Sequence, residues 1–346
     1  MAHDSDGRPE IVILCPIKNE AWILGKFLSV ASQVADRIIV VDQLSNDGSR
    51  EICESFEKVT LIKNPSSDYH LGRSRELLIA EARRSPGRRL LLSLDADEIP
   101  SSNILHSPEW KTALEVRPGT SIAFQNVILW RSPLSYKSLA DGLYAEYCIH
   151  GYMDDCAPYK GDTIHPQRDP QKDNRETLFL NEVVVMHYQA AAFQRAMSKN
   201  RWYRCYERIN NPTMSPTKLN RFYSQYLQSM DNIPTHTCPA SWHEYWLKSG
   251  IDTTSIVEEK DFWWDWEVLR MFNEYGTKPF QKDDVWCVDW EGIRRGGQDL
   301  GVDGLPQQPI HDSRSKFDRY LTALCRRTQR TRFEHLADFC LRLVGR

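Results

Sequence analysis

Polar and acidic residues follow three apolar runs in the first hundred residues of this 346-residue chain. Residues 16–20 follow the first run, Asp42 ends the second, and residues 95–98 (Asp-Ala-Asp-Glu) follow a later one. A single acidic residue after a strand is common because it can cap the turn there. Ligands of open parallel sheets, however, bind outside the carboxyl ends of the strands. Three such clusters in register therefore predict a binding site.

The acidic triplet Asp95-Ala96-Asp97 has the spacing of a cation site. Two carboxylates one residue apart at a strand end can face the same hard cation. Mg²⁺ and Mn²⁺ take oxygen ligands, and they commonly retain substrate phosphates as further ligands. Such an ion would stabilise negative charge on a departing diphosphate. The alternative is a solvated acidic turn without a ligand.

The turn after the first apolar run excludes two other phosphate-binding classes. A dinucleotide-binding domain needs the pattern G-x-G-x-x-G at this place, so that the backbone can approach a pyrophosphate. Here no glycine follows Pro16 until Gly25, and no P-loop pattern occurs in the chain. Phosphate would therefore be bound by a metal ion and basic side chains.

The elements that position these clusters alternate in type. Apolar runs predict strands at 11–15, 37–41, 59–63 and 89–94, and Pro16 is expected to end the first of them. Helical spacing predicts helices at 21–34, 47–56 and 71–84. Continuous apolar strands that alternate with helices indicate an α/β fold, with a mostly parallel Rossmann-like sheet covered by helices on both faces.

The regular alternation of predicted strands and helices ends after residue 100. Further strands are predicted at 121–130, 143–150 and 179–187, with a long polar loop at 154–175. From residue 193 the pattern is mainly helical and rich in tryptophan. We therefore expect a catalytic domain over 1–190 and a helical C-terminal region over 191–346, whose tryptophans either bind the acceptor or form the core of that region.

Composition limits the cellular setting. The formal net charge of -3 gives no bulk attraction to nucleic acid. The nine cysteines include no C-x-x-C pair, which argues against a zinc site or a disulfide framework and favours the cytoplasm. The polar N-terminus does not resemble a signal peptide. Residues 313–346 hold nine Lys/Arg and three Asp/Glu, with helically spaced apolar residues. This tail is predicted either to dock on the protein or to contact the inner face of a membrane.

Four motifs resemble, in order and spacing, the nucleotide-binding half of family 2 glycosyltransferases, which have the A-type (GT-A) fold. They are CPIKNE at 15–20, VVD at 40–42 with SNDGS at 45–49, RSR at 73–75, and LDADE at 94–98. The resemblance covers residues 10–100 well and continues more loosely to about 205. The Asp-Ala-Asp-Glu form is nearest to the branch that includes lipopolysaccharide-core glucosyltransferases.

The resemblance implies a role for each donor-side residue. Asp42 would bind uracil or another base, Arg75 or Arg73 would face the diphosphate, and Asp95 would contact ribose. The base and ribose pocket would be lined by the residues of the first motif: Pro16, Lys18, Asn19 and Glu20.

The same resemblance implies a divalent metal, Mn²⁺ or Mg²⁺. Asp97 would bind it directly, Asp95 would contact it or the ribose, and His187, after the last predicted core strand, would complete the site. The alternative for His187 is a histidine bonded to backbone at the end of a strand. The catalytic base is less well marked, because the acidic pair that many members carry on a helix is absent here.

Three residues compete for the role of that base. Asp155 in the loop is favoured, and Glu182 and His165 are rivals. An inverting transfer needs one carboxylate or imidazole within hydrogen-bond reach of the acceptor hydroxyl.

The predicted activity is therefore that of a hexosyltransferase-like enzyme. It would transfer a sugar, with inversion, from a nucleoside-diphosphate sugar such as a UDP-sugar to a hydroxyl of a glycan or glycoconjugate. Two alternatives stay open. A nucleotidyltransferase acting on a sugar phosphate would release pyrophosphate, and it usually has a glycine-rich first loop. A non-catalytic glycan-binding protein would bind glycans without nucleotide or metal.

Overall fold

The computed structural model describes residues 7–66, 70–137, 146–161, 167–170, 175–223, 234–329 and 331–346. The chain forms two compact units, one of Met1–Ala191 with Pro234–Glu258 and one of Ala192–Ile233 with Glu259–Arg346. The sequence placed a single boundary near 190. In the structure the chain returns to the first unit for residues 234–258.

The first unit is built on an eight-stranded sheet in the order β3-β2-β1-β4-β8-β6-β9-β5. Its strands are β1 (Glu10–Ile17), β2 (Arg37–Asp42), β3 (Val59–Lys63), β4 (Arg89–Ser93), β5 (Glu98–Pro100), β6 (Ser121–Ile128), β8 (Glu146–Met153) and β9 (Thr177–His187). A separate short pair joins β7 (Ser135–Lys137) to β10 (Thr235–Thr237). The first four strands run parallel to one another, and β6 and β9 are also parallel. The expected mostly parallel α/β sheet is thus confirmed.

Helices flank the sheet and complete the second unit. The first unit contains α1 (Ala21–Val34), α2 (Ser49–Glu54), α3 (Leu71–Ala82), α4 (Pro108–Glu115) and α7 (Glu244–Lys248). The second contains α5 (Phe193–Asn210), α6 (Pro216–Phe222), α8 (Trp263–Tyr275), α9 (Trp290–Asp299), α10 (Lys316–Thr328) and α11 (Glu334–Leu343). The predicted helical C-terminal region is therefore present. No helix within the described residues is long and apolar enough to cross a membrane.

The core of the sheet comes from strands whose residues are almost all buried. In β2 and β4 the apolar residues are fully covered, as expected for strands with helices on both faces. Leu14, Ile39 and Leu91 belong to a cluster that packs under α3 with Leu78 and Ile79. This core fixes the strand ends relative to one another.

Pro16 does not end the first strand as the sequence predicted, because β1 continues to Ile17. Leu14 O accepts a hydrogen bond from Leu94 N, and Ile17 O accepts one from Gln43 N. Backbone groups in a strand alternate sides, so Pro16 faces the β4 side, like Leu14. There β4 has already ended at Ser93, so the missing N–H of proline costs no ladder hydrogen bond.

Other element bounds also differ from the predictions. Helix α2 begins at Ser49, two residues later than predicted, after Gly48 in the left-handed conformation with φ of 94°. Strand β8 continues to Met153, and residues 143–145 of its predicted start lie outside the described residues. The described parts of the predicted loop 154–175 contain neither helix nor strand.

The second unit buries its tryptophans in its own core. The rings of Trp202 on α5 and Trp264 on α8 lie 4.7 Å apart between centroids. Arg201 donates two hydrogen bonds to the buried Asp265 at 2.8 and 2.6 Å, which joins the same two helices. These aromatic residues therefore build the unit's interior.

Candidate active site

The carboxyl ends of β1, β2, β4 and β9 lie at the same edge of the sheet. β1 is parallel to both β2 and β4. Two antiparallel steps lead from β4 through β8 to β6, and β9 is parallel to β6. β9 therefore runs in the direction of β4, and His187 ends at the edge where Asp95 begins its turn.

The first two loops at this edge are joined by hydrogen bonds. Asn19, which has a positive φ of 54°, donates from its backbone N to Ser45 Oγ at 2.8 Å. Its side-chain Oδ1 accepts from Asn46 N at 2.9 Å. Asparagine tolerates this left-handed conformation better than most residues. The expected pocket residue Asn19 is thus a buried support for the loop, while Pro16 and Lys18 beside it are half-buried.

Glu20 and Asp42 complete this side of the site. Glu20 N donates to Ser49 Oγ at 2.9 Å, and the Glu20 carboxylate accepts from Trp22 Nε1 at 2.7 Å. Asp42 is buried at the end of β2, where its Oδ1 accepts from Ser45 N at 3.2 Å. Its other oxygen lies 3.7 Å from Arg50 Nε. The structure therefore brings the first two motifs together at one edge.

Asp95 is held by two arginines, one on each carboxylate oxygen. Arg75 Nη2 lies 3.1 Å from Oδ1, and Arg168 Nη2 lies 3.3 Å from Oδ2. Arg75 is buried on α3 and also donates to Ser93 Oγ. Arg73, its neighbour in the motif, is exposed. Of the two predicted arginines, only Arg75 contacts the acidic turn.

Glu98 forms the buried centre of the turn. Arg168 donates to both of its oxygens at 2.5 and 2.7 Å, and Asp95 N donates to Oε2 at 2.9 Å. Burial alone would raise the pKa of Glu98, but the charge and the hydrogen bonds of Arg168 hold it well below its usual range. Glu98 is therefore an anion that fixes the shape of the turn.

His150 lies against the same arginine. Its Nδ1 is 2.5 Å from Arg168 Nη1, and because arginine only donates, Nδ1 is the acceptor. Burial, followed by the charge of Arg168, lowers the pKa of His150 to about 3. The ring is thus neutral, with its proton on Nε2.

Arg168 and His150 were missed by sequence reasoning. Arg168 stands in the predicted polar loop 154–175, and nothing in the sequence marked it among the other charged residues there. His150 lies within a strand, where a histidine carries no signal of its own.

Asp97 and His187 form a further pair at this turn. Asp97 Oδ2 is 3.4 Å from His187 Nε2. The pairing of Glu98 with His187 in β5 and β9 sets the pair side by side, and Tyr188 N donates to Asp97 O at 2.7 Å. Both side chains are largely covered by protein.

The donor atoms present fit a divalent ion of one particular kind. Mg²⁺ sites often use one or two carboxylates and complete their shell with substrate phosphates and water. Asp97 would supply such a carboxylate, with His187 3.4 Å from it, and both oxygens of Asp95 are bonded to arginines. Among the described residues, no group of three or more His, Cys, Asp or Glu could hold a metal. Phosphate oxygens would therefore have to complete the shell.

Asp155 lies at the opposite edge of the sheet. Met153 pairs with Leu90, and Asp154 N donates to Arg89 O at 2.9 Å, at the amino end of β4. The length of β4 separates this turn from Asp95 by about 16 Å. Arg175 Nη2 lies 3.2 Å from Asp155 Oδ1. The structure does not bring the predicted base Asp155 to the acidic turn.

The two rival residues do not replace it. Glu182 lies well before His187 in β9, and its carboxylate accepts from Ser107 Oγ at 3.0 Å. His165 lies outside the described residues.

Comparisons with known proteins point to a class of transferase. Residues 12–107, which contain all four motifs, match the family model described as glycosyl transferase family 2. This match supports a glycosyltransferase and covers less than a third of the chain. A comparison with curated proteins finds no match.

Solved structures give only distant likenesses. Glucosyl-3-phosphoglycerate synthase from Mycobacterium tuberculosis, in complex with Mn²⁺, UDP and phosphoglyceric acid, is 19% identical over 35% of this chain and 44% of that chain, with a TM-score of 0.26. 4-Diphosphocytidyl-2C-methyl-D-erythritol synthase is 13% identical over 43% of this chain and 73% of that one, with a TM-score of 0.28. The inositol-1-phosphate CTP transferase of T. maritima is 8% identical over 52% of this chain and 89% of that one, with a TM-score of 0.31. The chain thus spans less than half the length of the first of these.

Proposed function

We propose that the protein is an inverting glycosyltransferase. It transfers a sugar from a nucleoside-diphosphate sugar, with UDP as the favoured nucleotide, to a hydroxyl group of a glycan or glycoconjugate. The observation that carries the proposal is the pair Asp97–His187, 3.4 Å apart at the sheet edge that also holds Asp42 and the first loop. A donor site needs a nucleotide pocket on one side and ligands for a divalent cation on the other, and these two groups of residues would supply them.

The nucleotide half of the proposal rests on the loops after β1 and β2. Asp42 would accept a hydrogen bond from the base, and the strand end at Pro16 with Lys18 would form the adjoining wall. The hydrogen bonds of Asn19 to Ser45 and Asn46 hold these loops in place before a ligand arrives. Such preorganisation lowers the entropy lost on binding.

The diphosphate half rests on Asp97, His187 and the two arginines. Asp97 and His187 would hold Mn²⁺ or Mg²⁺, which would offset the negative charge of the departing diphosphate. Arg75 and Arg168 keep Asp95 oriented and place positive charge beside it. The buried Glu98 forms an ion pair with Arg168, which fixes the conformation of the acidic turn. Asp155 has no part in this donor site, because it lies at the other edge of the sheet.

A thermal-shift panel tests this proposal directly. The purified chain would be melted with nucleoside diphosphates, nucleotide sugars and nucleoside triphosphates, each with and without Mn²⁺. We expect stabilisation by a nucleoside diphosphate or its sugar that needs Mn²⁺ and is lost in Asp97→Asn. Asp155→Asn is the matched control and should respond like the wild type.

Two outcomes would overturn the proposal. The first is no stabilisation by any nucleotide or nucleotide sugar. The second is a response to nucleoside triphosphates with a sugar phosphate, accompanied by pyrophosphate release, which would assign the site to a nucleotidyltransferase instead.

A further inference from the structure

Helix α11 is apolar on two opposite sides. Ala337 and Leu341 are 7% and 1% exposed, and Leu341 packs with Leu321 and Cys325 of α10. At 100° per residue, Leu336, Phe339 and Leu343 lie together on the other side of the helix. They are 64%, 56% and 72% exposed. The helix is thus docked on its unit by one face and presents a second apolar face to solvent.

The charges around the outward face have one sign. Arg332 precedes the helix and Arg342 lies at its end, both exposed. The acidic residues of the helix, Glu334 and Asp338, lie on its docked half and are only half-exposed. Asp338 is held by Arg221 at 2.7 Å. The outward side of α11 therefore combines exposed apolar residues with positive charge.

The size of this face argues against a second protein copy. A helix of 10 residues is about 15 Å long, so its outward face offers on the order of a few hundred Å². A stable dimer buries about 800 Å² on each partner. A bilayer surface has no such minimum, since a short helix can lie in the headgroup region with its apolar side facing the acyl chains.

We infer that the outward face of α11 is a docking surface for a membrane that carries anionic lipid headgroups. Leu336, Phe339 and Leu343 enter the interface between headgroups and acyl chains. Arg332 and Arg342 contact the phosphate groups around them. This inference does not depend on the proposed transferase activity.

Vesicle sedimentation with the full chain tests whether the exposed apolar residues of α11 are needed for membrane binding. The wild type is expected to sediment with vesicles of phosphatidylcholine and phosphatidylglycerol and to stay in solution with phosphatidylcholine alone. In Leu336→Gln/Phe339→Gln/Leu343→Gln the bound fraction should fall about tenfold or more. The control Leu247→Gln/Val257→Gln/Leu300→Gln changes three exposed apolar residues elsewhere and should bind like the wild type. Because all six side chains are exposed, both variants should melt near the wild-type temperature.

A second pair of variants tests the role of the arginines. Arg332→Glu/Arg342→Glu should lose binding to the anionic vesicles, and added salt should weaken wild-type binding. Arg84→Glu/Arg295→Glu changes two strongly exposed arginines, one in the turn after α3 and one on α9, and should leave binding unchanged.

Three results would overturn the inference. The first is wild-type protein that sediments equally with the two vesicle types. The second is an equal loss of vesicle binding in the α11 triple variant and in its apolar control. The third is a wild-type dimer in sedimentation velocity that the α11 triple variant abolishes, with no binding to vesicles. The last would make the face an interface between copies.

Discussion

Two acidic turns lie at opposite ends of the same strand, β4. Residues 95–98 follow its carboxyl end, and Asp154 and Asp155 follow β8 beside its amino end. Both turns hold buried carboxylates with arginine partners. At the first, Arg168 and Arg75 bind Asp95, and Asp97 and His187 lie 3.4 Å apart next to two loops that converge on the same edge. At the second, the Asp154 carboxylate joins β8 to β4 through Arg89 and to the end of α3 through Arg83, and Asp155 pairs with Arg175.

The difference between the turns comes from their position on the sheet. Only the carboxyl edge collects the loops of several parallel strands, so only there can residues distant in sequence surround one ligand. An acidic pair at the amino edge meets the starts of strands, where its carboxylates serve to join elements. Composition alone does not distinguish these two turns.

The largest expected difference between substitutions in the two acidic turns is in the turnover rate. Asp97→Asn should lower the rate of sugar transfer on the order of 100- to 1000-fold, as does loss of one preorganised electrostatic group in other enzymes. Asp155→Asn should leave the rate within about twofold, because no substrate charge develops at that edge. Release of the nucleoside diphosphate, followed with the donor found in the thermal-shift panel, measures both.

The binding of Mn²⁺ in the presence of that nucleotide gives an independent check by titration calorimetry. Asp97→Asn should abolish it, and Asp155→Asn should not. Equal loss of activity in the two variants would mean that the amino-edge turn also serves the reaction, and the contrast drawn between the turns would fail.

A smaller difference is expected in stability. Arg168 is the only arginine bonded to Glu98 among the described contacts, so Arg168→Ala leaves a buried carboxylate without its cation. We expect a loss of about 3 kcal/mol in the free energy of unfolding. Arg83→Ala should cost only about 1 kcal/mol, because Asp154 keeps Arg89 at 3.5 Å and the hydrogen bond from Cys156 N.

Urea denaturation of both variants measures these two values. Arg168→Met, which keeps the length of the side chain without its charge, separates lost packing from lost charge. If Arg168→Met restores the stability, then packing and not the ion pair with Glu98 holds the turn.

The parallel part of the sheet could be predicted from the sequence because its signals are local. Continuous apolar runs and the turn residues between them gave the four strands and three helices before residue 100. The same runs predicted that Asp42 and Asp95 share an edge, since parallel strands have a common direction. The predicted use of Pro16 as a strand terminator was wrong because it depended on where β4 ends, which is a property of a neighbouring strand.

The remainder of the site could not be predicted because it depends on long-range pairing. Arg168 reaches Glu98 across 70 residues of sequence, and His150 joins them only because β8 is antiparallel to β4. The same antiparallel step carries Asp155 to the wrong edge for the role assigned to it. One reversal of strand direction thus explains both the missed residues and the misplaced base.

The last expected difference concerns acid sensitivity. The pKa of His150 in the folded protein is about 3, lowered by burial and by Arg168. A histidine in the unfolded chain has a pKa of about 6.5. As the pH falls from about 6.5, the unfolded state therefore binds a proton that the folded state excludes, and stability falls by up to about 1.4 kcal/mol per pH unit.

Glu98 affects stability only at lower pH. Its folded pKa lies below the usual range, so its stabilisation is complete above about pH 4.3 and is lost only as the pH falls further. Between about pH 6.5 and 4.5 the pH dependence of stability therefore contains a contribution from His150 and none from Glu98. Burial also lowers the pKa of His243, so part of the whole-chain slope will remain in any His150 variant.

His150→Gln keeps an acceptor for Arg168 and removes the titration. Urea denaturation at a series of pH values should show a flatter dependence of stability for this variant between about pH 6.5 and 4.5, by as much as one proton. His236→Gln, a change at an exposed histidine, should keep the wild-type slope. An unchanged slope in His150→Gln would show that the ring takes up a proton in the folded state, and the acidic turn would then tolerate a second cation beside Arg168.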